Sequence, residues 1–176
     1  MSIMNTYTGK KFDPLQMKPK DVDLVDIAHA LSLLCRGGGH IDRFYTVALH
    51  SINCANEAKA RGWERKLILA CLLHDASEAY IADIIRPVKP YLTNYLEIED
   101  QIMSVIWQHF QLELTPEEHK KWKQIDDEIL DSELKEMFSG EAERIPVPLR
   151  STPDFSERPH GEVEEEFIRI AEELLN

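Results

Sequence analysis

The feature that most constrains the fold is an apolar run at 67–73, LILACLL, that ends directly in His74 and Asp75, with Glu78 one helical turn beyond His74. A helix that is apolar on every side is buried in a core. An imidazole and two carboxylates at the end of such a helix are costly to bury unless they are paired or bind a metal. The segment therefore predicts either a helix that surfaces into solvent or the floor of an active site.

Helical periodicity dominates the rest of the chain, without convincing strand alternation. Apolar residues recur at helical spacing within 21–36, 46–61, 63–73, 94–110, 115–138 and 162–175. Thr115, Pro116 and Glu118 form a capping box at the start of the longest of these segments. Residues 139–160 contain several prolines and no periodicity, which predicts a long ordered loop before the terminal helix at 162–175. We predict an all-α fold, a single bundle of about six main helices spanning 1–176.

Composition excludes several classes of protein. Acidic residues outnumber basic ones by 32 to 20, which argues against binding to duplex nucleic acid. The three cysteines are widely spaced and form no CxxC pair, so they are expected to be buried free thiols in a reducing compartment. The N-terminus lacks the apolar core of a signal peptide, and the longest apolar run is too short to span a bilayer. We therefore expect a cytoplasmic protein that does not bind membranes.

Potential metal ligands lie on the inward faces of three predicted helices. Asp126 falls near the middle of an apolar face, whereas Asp127 falls on the outer side, and Glu133 lies on the same inward face as Asp126. His50 also has apolar neighbours at helical spacing. Taken singly, each of these residues is compatible with a hydrogen-bonded role in the core. Taken together with His74 and Asp75, two imidazoles and two carboxylates suit one divalent ion, such as Mn, Co, Zn, Ni, Fe or Mg.

Four segments carry a resemblance to a known family: DIAHALSLLCR, GGHIDRFYTVALHS, HDASEAYIADIIRPVK and KQIDDEILDSELKEM. The chain resembles the HD-domain metal-dependent phosphohydrolases. It is most similar to the small bacterial and phage branch that contains 5'-deoxynucleotidases and deoxynucleotide triphosphohydrolases. The resemblance implies an HD-type helical bundle, a small nucleotide substrate, and assembly into dimers or larger homo-oligomers. It also implies that the metal ligands are His50, His74, Asp75 and Asp126.

The same resemblance implies roles for residues around the metal. Glu78 would orient or deprotonate the attacking water, and Asp83 would lie near the sugar and the leaving group. Arg36 is a candidate phosphate clamp, because a guanidinium presents a planar fork to phosphate oxygens. Lys89 would approach the substrate, and His40, in the glycine-rich turn, is a further candidate substrate contact. The implied reaction is hydrolysis of a phosphate ester or anhydride by a metal-activated water.

Two positions depart from the family pattern, and three functional alternatives stay open. Leu49 stands where members commonly have Glu, and Gly37 replaces the usual bulky residue after Arg36.

The motifs are shared by monophosphatases and triphosphohydrolases, so they do not fix the product. Guanosine tetraphosphate hydrolases share HD-x-x-E, but usually continue with Asp where this chain has Ala79. A non-catalytic scaffold with the same fold is the alternative outside the enzymes.

Overall fold

Helices form almost all of the regular structure in the computed structural model, which describes residues 3–176 and confirms the predicted all-α class. Six helices of nine or more residues agree with the predicted number, and a one-turn helix, α4, adds to them. The helices are α1 (Leu24–Leu33), α2 (Val47–Ala60), α3 (Arg65–Leu73), α4 (Glu78–Ile81), α5 (Thr93–His109), α6 (Pro116–Met137) and α7 (His160–Leu175). The first two residues of the predicted 1–176 domain lie outside the described part, and the single-domain and homo-oligomer predictions stay predictions.

Periodicity did not predict the N-terminal hairpin. Strand β1 (Met4–Asn5) pairs antiparallel with β2 (Lys11–Phe12), with Met4 opposite Phe12. Strands of two residues are too short to produce a recognisable alternation of polar and apolar positions. Phe12 is buried against the helices, so the hairpin attaches the start of the described chain to the core.

Side-chain caps fix where the two helices that carry His50 and Asp126 begin. Thr46 accepts a hydrogen bond from the backbone N–H of Leu49 at 3.1 Å and thereby starts α2. The predicted capping box starts α6: Glu118 accepts from the Thr115 N–H at 2.7 Å, and Thr115 accepts from the Glu118 N–H at 3.3 Å. Because a helix turns by a constant angle per residue, a fixed start helps set which side chains face inward.

Helices α2 and α3 pack against each other at the centre, and α6 and α7 both pack against this pair. Every residue of 67–73 is buried, as expected for a helix that is apolar on all sides. The largest fully buried apolar side chains elsewhere include Ile27, Leu31, Leu49, Ile52, Ile125, Ile129 and Phe167. Among residues 3–176, no helix combines the length and apolar character needed to cross a bilayer.

The segment between α6 and α7 is irregular, as predicted, and it is tied to α2 by two buried side chains. The Glu57 carboxylate accepts hydrogen bonds from the N–H groups of Arg150 and Ser151, at 3.0 and 2.7 Å, and from the Ser151 hydroxyl at 2.6 Å. Asn53 exchanges hydrogen bonds of 2.9 and 2.8 Å with the backbone of Asp154. Helix α7 begins at His160, two residues earlier than the expected start at 162.

Replacing Glu57 with Gln is expected to lower the free energy of unfolding by about 2 kcal/mol at pH 7, since the lost bonds are charge-assisted and buried. Burial raises the pKa of Glu57, but the bonds from Ser151 and Arg150 outweigh burial and lower the pKa from 4.5 to about 2. A depressed folded-state pKa stabilises the fold above the usual pKa, and this stabilisation is lost as the pH falls towards 2. Urea denaturation at pH 7 and pH 3 would measure the effect.

The exposed Glu165, on α7, provides the matched control through Glu165→Gln. We expect Glu57→Gln to differ from this control at pH 7 and to approach it at low pH. Equal unfolding free energies for the two variants at pH 7 would contradict the role assigned to Glu57.

Candidate functional site

Four side chains from three helical regions converge at one point in the bundle. His50 comes from α2, His74 and Asp75 directly follow α3, and Asp126 comes from α6. His50 Nε2 lies 3.2 Å from His74 Nε2 and 3.3 Å from Asp126 Oδ1, and His74 Nε2 lies 3.3 Å from Asp75 Oδ2. The remaining imidazole–carboxylate separations are 3.8 Å for His50–Asp75 and 3.7 Å for His74–Asp126. The four side chains expected to hold a metal are therefore neighbours.

These separations fit the donor set of one metal ion. With metal–ligand bonds of about 2.1 Å, neighbouring donor atoms lie about 3.0–3.4 Å apart and opposite ones about 4.2 Å apart. The five observed separations, from 3.2 to 3.8 Å, fall within this span. Small side-chain adjustments would therefore suffice for the nitrogen and oxygen atoms to surround a divalent ion.

The outer nitrogens of both imidazoles are held by acceptors. His74 Nδ1 lies 2.7 Å from the Cys71 carbonyl oxygen, which can only accept, so this nitrogen carries the proton. His50 Nδ1 lies 2.6 Å from Glu133 Oε1 and donates in the same way. In neutral imidazoles this arrangement leaves the lone pairs on the two Nε2 atoms, which face each other. Two facing lone pairs repel unless positive charge lies between them, and metal-binding histidines are usually oriented in this way.

Glu133 is a buried carboxylate that contacts three other side chains of the site. The sequence predicted that it faces inward but not which residues it contacts. Its side chain is 2% exposed; besides His50 it accepts from the Tyr45 hydroxyl at 2.8 Å and from Arg36 Nη2 at 3.3 Å. Burial raises the pKa of Glu133, but the positive charges of His50 and Arg36 outweigh burial and lower the pKa to about 2. An ionised Glu133 thereby orients the His50 ring from behind.

The electrostatics of the cluster favour positive charge at its centre. Burial lowers the pKa of His74, but the negative charge of Asp75 and hydrogen bonding to Asp126 outweigh burial and raise the pKa to about 10. Burial raises the pKa of Asp126, yet hydrogen bonds with His50 and His74 hold it well below its usual range. Protons on the imidazoles or a metal ion would each supply the charge that the two carboxylates attract.

Cys54 adds a sulfur donor next to the imidazoles. It follows His50 by one helical turn, and its Sγ lies 3.6 Å from His50 Nε2. The ligand atoms of His50, Cys54 and His74 all lie within 4.8 Å of one another, and all three residues are buried, so this group can hold a metal ion. Burial, followed by the negative charge of Asp126, raises the pKa of the Cys54 thiol well above its usual value. The sequence predicted Cys54 only as a buried free thiol, although its i+4 spacing from His50 was a usable signal.

A cavity of about 1180 Å³ opens above the cluster. His74, Asp75 and Asp126 lie in its wall, together with Glu78 and Asp83. Charged and polar side chains share this wall with apolar and aromatic ones, and such a combination suits a ligand that has both polar and apolar parts. The apolar part of the wall includes Ile41, Leu96, Met103, Trp107, Trp122 and Phe138.

Glu78 lies in the wall of this cavity and carries a buried carboxylate oxygen that lacks a hydrogen-bond partner among the described residues. The residue is 3% exposed, and its Oε2 is buried without a hydrogen-bond partner among residues 3–176. Leaving such an atom unsatisfied costs about 1–3 kcal/mol, more for a charged group, so the position suits a bound water or ligand. Burial, followed by the negative charges of Asp75 and Asp83, raises the pKa of Glu78 well above its usual value.

Asp83 is positioned by an unusual backbone conformation. Ala82, directly before it, has a φ of 66°, which is rare for a residue with a side chain. The Ala82 carbonyl accepts a hydrogen bond of 2.9 Å from the Tyr95 hydroxyl, which helps to hold this turn. Asp83 is half-buried in the cavity wall, and burial raises the pKa of its carboxyl group. Backbone strain of this kind clusters at functional sites.

The three substrate contacts expected from sequence all line the cavity. Arg36 Nη1 donates to Asp75 Oδ2 at 3.2 Å, so its guanidinium lies beside the cluster. Lys89 Nζ pairs with Glu99 at 2.6 Å. His40 is exposed and follows the glycine-rich turn. Arg36 therefore lies beside the candidate metal ligands, whereas Lys89 and His40 lie on other parts of the wall.

Arg86 is a site residue that was not predicted from the sequence. Its Nη2 donates to Asp126 Oδ2 at 2.6 Å, and its Nη1 donates to Asp127 Oδ1 at 2.5 Å. Asp126 therefore presents one oxygen to the imidazoles and the other to Arg86. Arg86 belongs to the irregular segment after α4, where no periodicity indicates which way a side chain points.

Gly37 departs from the pattern of the family that the sequence resembles, and the structure gives a physical reason for glycine there. Its φ of 61° is left-handed, and a Cβ at this position would lie 2.8 Å from Cζ of Phe138. The Phe138 ring thus fills the space next to Arg36 that a side chain at 37 would need. Leu49, the other departure, is 1% exposed and packs in the apolar core.

Two curated relatives match the chain, and neither has a stated function. The chain is 36% identical over 112 residues to the uncharacterized protein YfdR of Escherichia coli, a match that covers 64% of this chain and 60% of that protein. It is 36% identical over 111 residues to an uncharacterized protein of Rhodobacter capsulatus, covering 60% of this chain and 56% of that protein. The matches span less than two thirds of both relatives. No family model matches the chain.

Proposed function

We propose that this chain is an HD-domain phosphohydrolase that uses one divalent metal ion to cleave a phosphate ester or anhydride bond of a small nucleotide. The observation that carries the proposal is the pair of inward-facing Nε2 atoms, 3.2 Å apart, with both Nδ1 atoms engaged by acceptors. Asp75 and Asp126 complete a set of two nitrogens and two oxygens. Of this set, His74, Asp75 and Asp126 lie in the wall of a cavity, where a substrate can reach them, and His50 lies buried beside them.

The residues around the cluster divide the chemistry between them. A divalent ion held by His50, His74, Asp75 and Asp126 would act as a Lewis acid towards a phosphoryl oxygen and a water. Glu78, with its unpartnered oxygen, would accept the proton of the attacking water.

The leaving group would depart towards Asp83. Asp83 lies in the cavity wall with a pKa raised by burial, and would give a proton to the leaving oxygen. Each proton transfer by a positioned carboxyl group contributes about 10²–10⁴-fold to the rate.

Phosphate binding would fall to the cations of the cavity wall. The chain as a whole is acidic, with a net charge of -12, so an anionic substrate needs local positive charge. Arg36 and Arg86 both lie within hydrogen-bonding distance of proposed metal ligands, and each offers a guanidinium fork. Lys89, which pairs with Glu99 in the same wall, would supply a further positive charge. The aromatic wall formed by Trp107, Trp122 and Phe138 suits contact with a nucleoside.

A nucleotide panel tests the proposal. Metal-depleted protein would be supplied in turn with Mn²⁺, Co²⁺, Zn²⁺, Ni²⁺, Fe²⁺ and Mg²⁺, and incubated with mono-, di- and triphosphates of ribo- and deoxynucleosides. We expect hydrolysis that requires added metal. Inorganic phosphate from a monophosphate would identify a 5'-nucleotidase, and triphosphate from a deoxynucleoside triphosphate would identify a triphosphohydrolase. Guanosine tetraphosphate is included to test the related hydrolase class.

Metal binding measured on the same samples separates the alternatives. Binding without hydrolysis of any nucleotide would favour a scaffold that retains the fold, and the enzymatic proposal would be rejected. Hydrolysis that persists after chelation would reject the metal centre.

A further inference from the structure

Cys54 lies beside the inward-facing nitrogen of His50 and does not line the cavity. It is 1% exposed and belongs to α2, whereas Asp75 and Asp126 line the cavity itself. A metal placed between the imidazoles would therefore meet oxygen donors on its cavity side and sulfur on its core side. Cys54 has no role in the function proposed above.

We propose that Cys54 is a fifth protein ligand of the metal, and that its sulfur makes the centre prefer thiophilic ions such as Zn²⁺, Co²⁺ or Cd²⁺ over Mn²⁺ and Mg²⁺. This inference rests on the metal site of the proposed function and specifies its ion. When the metal–sulfur bond forms, the S–H bond breaks and the proton passes to solvent, without any change of oxidation state. Soft thiolate ligands select such ions, whereas carboxylates and water suit Mn²⁺ and Mg²⁺.

The separation between sulfur and nitrogen supports direct ligation. Metal–sulfur bonds of about 2.3 Å and metal–nitrogen bonds of about 2.1 Å place the two donors about 3.1–3.6 Å apart at ordinary coordination angles. The observed distance from Cys54 Sγ to His50 Nε2 is 3.6 Å, at the upper end of this range. The ligand atom of His74 is also within 4.8 Å, so one ion can be reached by all three side chains.

Cys71 provides an internal comparison. It is as buried as Cys54, at 1% exposed, and it belongs to α3, which packs against α2. Its contact with the cluster is made by the backbone carbonyl, which accepts from His74 Nδ1. A cysteine that serves only as a small apolar residue needs no approach to a ligand nitrogen. Cys71 fits that description, whereas Cys54 lies beside the nitrogen that faces the metal position.

The test is a Co²⁺ titration of the full chain followed by absorption spectroscopy. Wild-type protein is expected to show visible ligand-field bands and a near-ultraviolet thiolate-to-cobalt charge-transfer band. Cys54→Ser should lose the charge-transfer band and keep the visible bands, whereas the matched control Cys71→Ser should keep both. In competition titrations, Cys54→Ser should weaken Cd²⁺ binding by more than about tenfold. Even residues that only support a metal ligand change metal affinity by about 10–100-fold when they are mutated. The Mn²⁺ affinity of Cys54→Ser should change much less.

The outcomes separate this inference from the proposed function. Visible bands without a charge-transfer band in the wild type, or a band that survives Cys54→Ser, would refute thiolate ligation and leave the proposed phosphohydrolase standing. A wild-type chain that binds neither Co²⁺ nor Mn²⁺ would reject both. Circular dichroism would check that each variant folds. If Cys54→Ser misfolds, the Co²⁺ absorption spectra of Cys54→Ala would test thiolate ligation in its place.

Discussion

Replacing Asp126 with alanine is expected to lower both Mn²⁺ affinity and nucleotide hydrolysis by more than about 100-fold. Mutating a residue that only supports a metal ligand typically lowers metal affinity or activity by about 10–100-fold. Removing a direct ligand should cost at least the upper end of that range. Asp126 Oδ1 lies 3.3 Å from His50 Nε2 and 3.7 Å from His74 Nε2, so its removal deletes one of the two oxygens expected to contact the ion. Calorimetric Mn²⁺ titration and product release from the best nucleotide of the panel would measure the two losses.

The adjacent residue supplies a control of the same chemistry. Asp127 differs from Asp126 by one position on α6, and its side chain is 50% exposed, whereas that of Asp126 is 11% exposed. Both carboxylates accept from Arg86, so both variants disturb that guanidinium, but only Asp126 approaches the imidazoles. We expect Asp127→Ala to keep Mn²⁺ affinity and hydrolysis within about threefold of wild type, as surface substitutions usually do.

A result in which the two aspartate variants behave alike would remove Asp126 from the ligand set. Loss of hydrolysis in both, with metal binding intact in both, would point instead to Arg86 as the group that matters. Retained metal binding and hydrolysis in Asp126→Ala would reject the proposed centre altogether.

The sequence predicted the helical class and the inward placement of Asp126 because both follow from one-dimensional periodicity. A turn of about 100° per residue separates Asp126 from Asp127, and burial in the structure agrees with that separation. The capping box at Thr115 and Glu118 was equally readable, since it depends on residues three positions apart. The all-apolar run before His74 required a buried helix, and α3 is buried throughout its 67–73 segment.

The partners of these residues were not predictable because they are contacts between distant segments. The link from Glu133 to His50 and Tyr45 depends on how α6 packs against α2, which periodicity does not specify. Arg86 lies in an irregular segment, and its direction depends on the loop conformation. The Phe138 ring that excludes a side chain at Gly37 is another such contact, and there the sequence indicated only a departure from the family pattern.

The second large effect is expected at Glu78, where Glu78→Gln should lower turnover strongly and leave metal binding intact. The carboxylate is not needed to hold the ion, since two imidazoles and two carboxylates already surround the proposed position. Glu78 lies in the cavity wall, where an attacking water would need a proton acceptor, and its buried Oε2 has no hydrogen-bond partner among residues 3–176. A glutamine has almost the same shape but cannot accept that proton. We expect turnover to fall by about 10²–10⁴-fold, the usual contribution of a positioned general base.

Two measurements distinguish this role from a structural one. Glu78→Gln should bind Mn²⁺ like wild type and lose turnover number with little change in KM, whereas Asp126→Ala should lose metal binding as well. Glu97→Gln, on the exposed side of α5, controls for replacement of a glutamate in general. If Glu78→Gln instead lost metal affinity in parallel with turnover, Glu78 would belong to the groups that hold the ion. If its turnover equalled that of Glu97→Gln, another group would have to accept the proton, and Asp83 would be the next residue in the cavity wall to test.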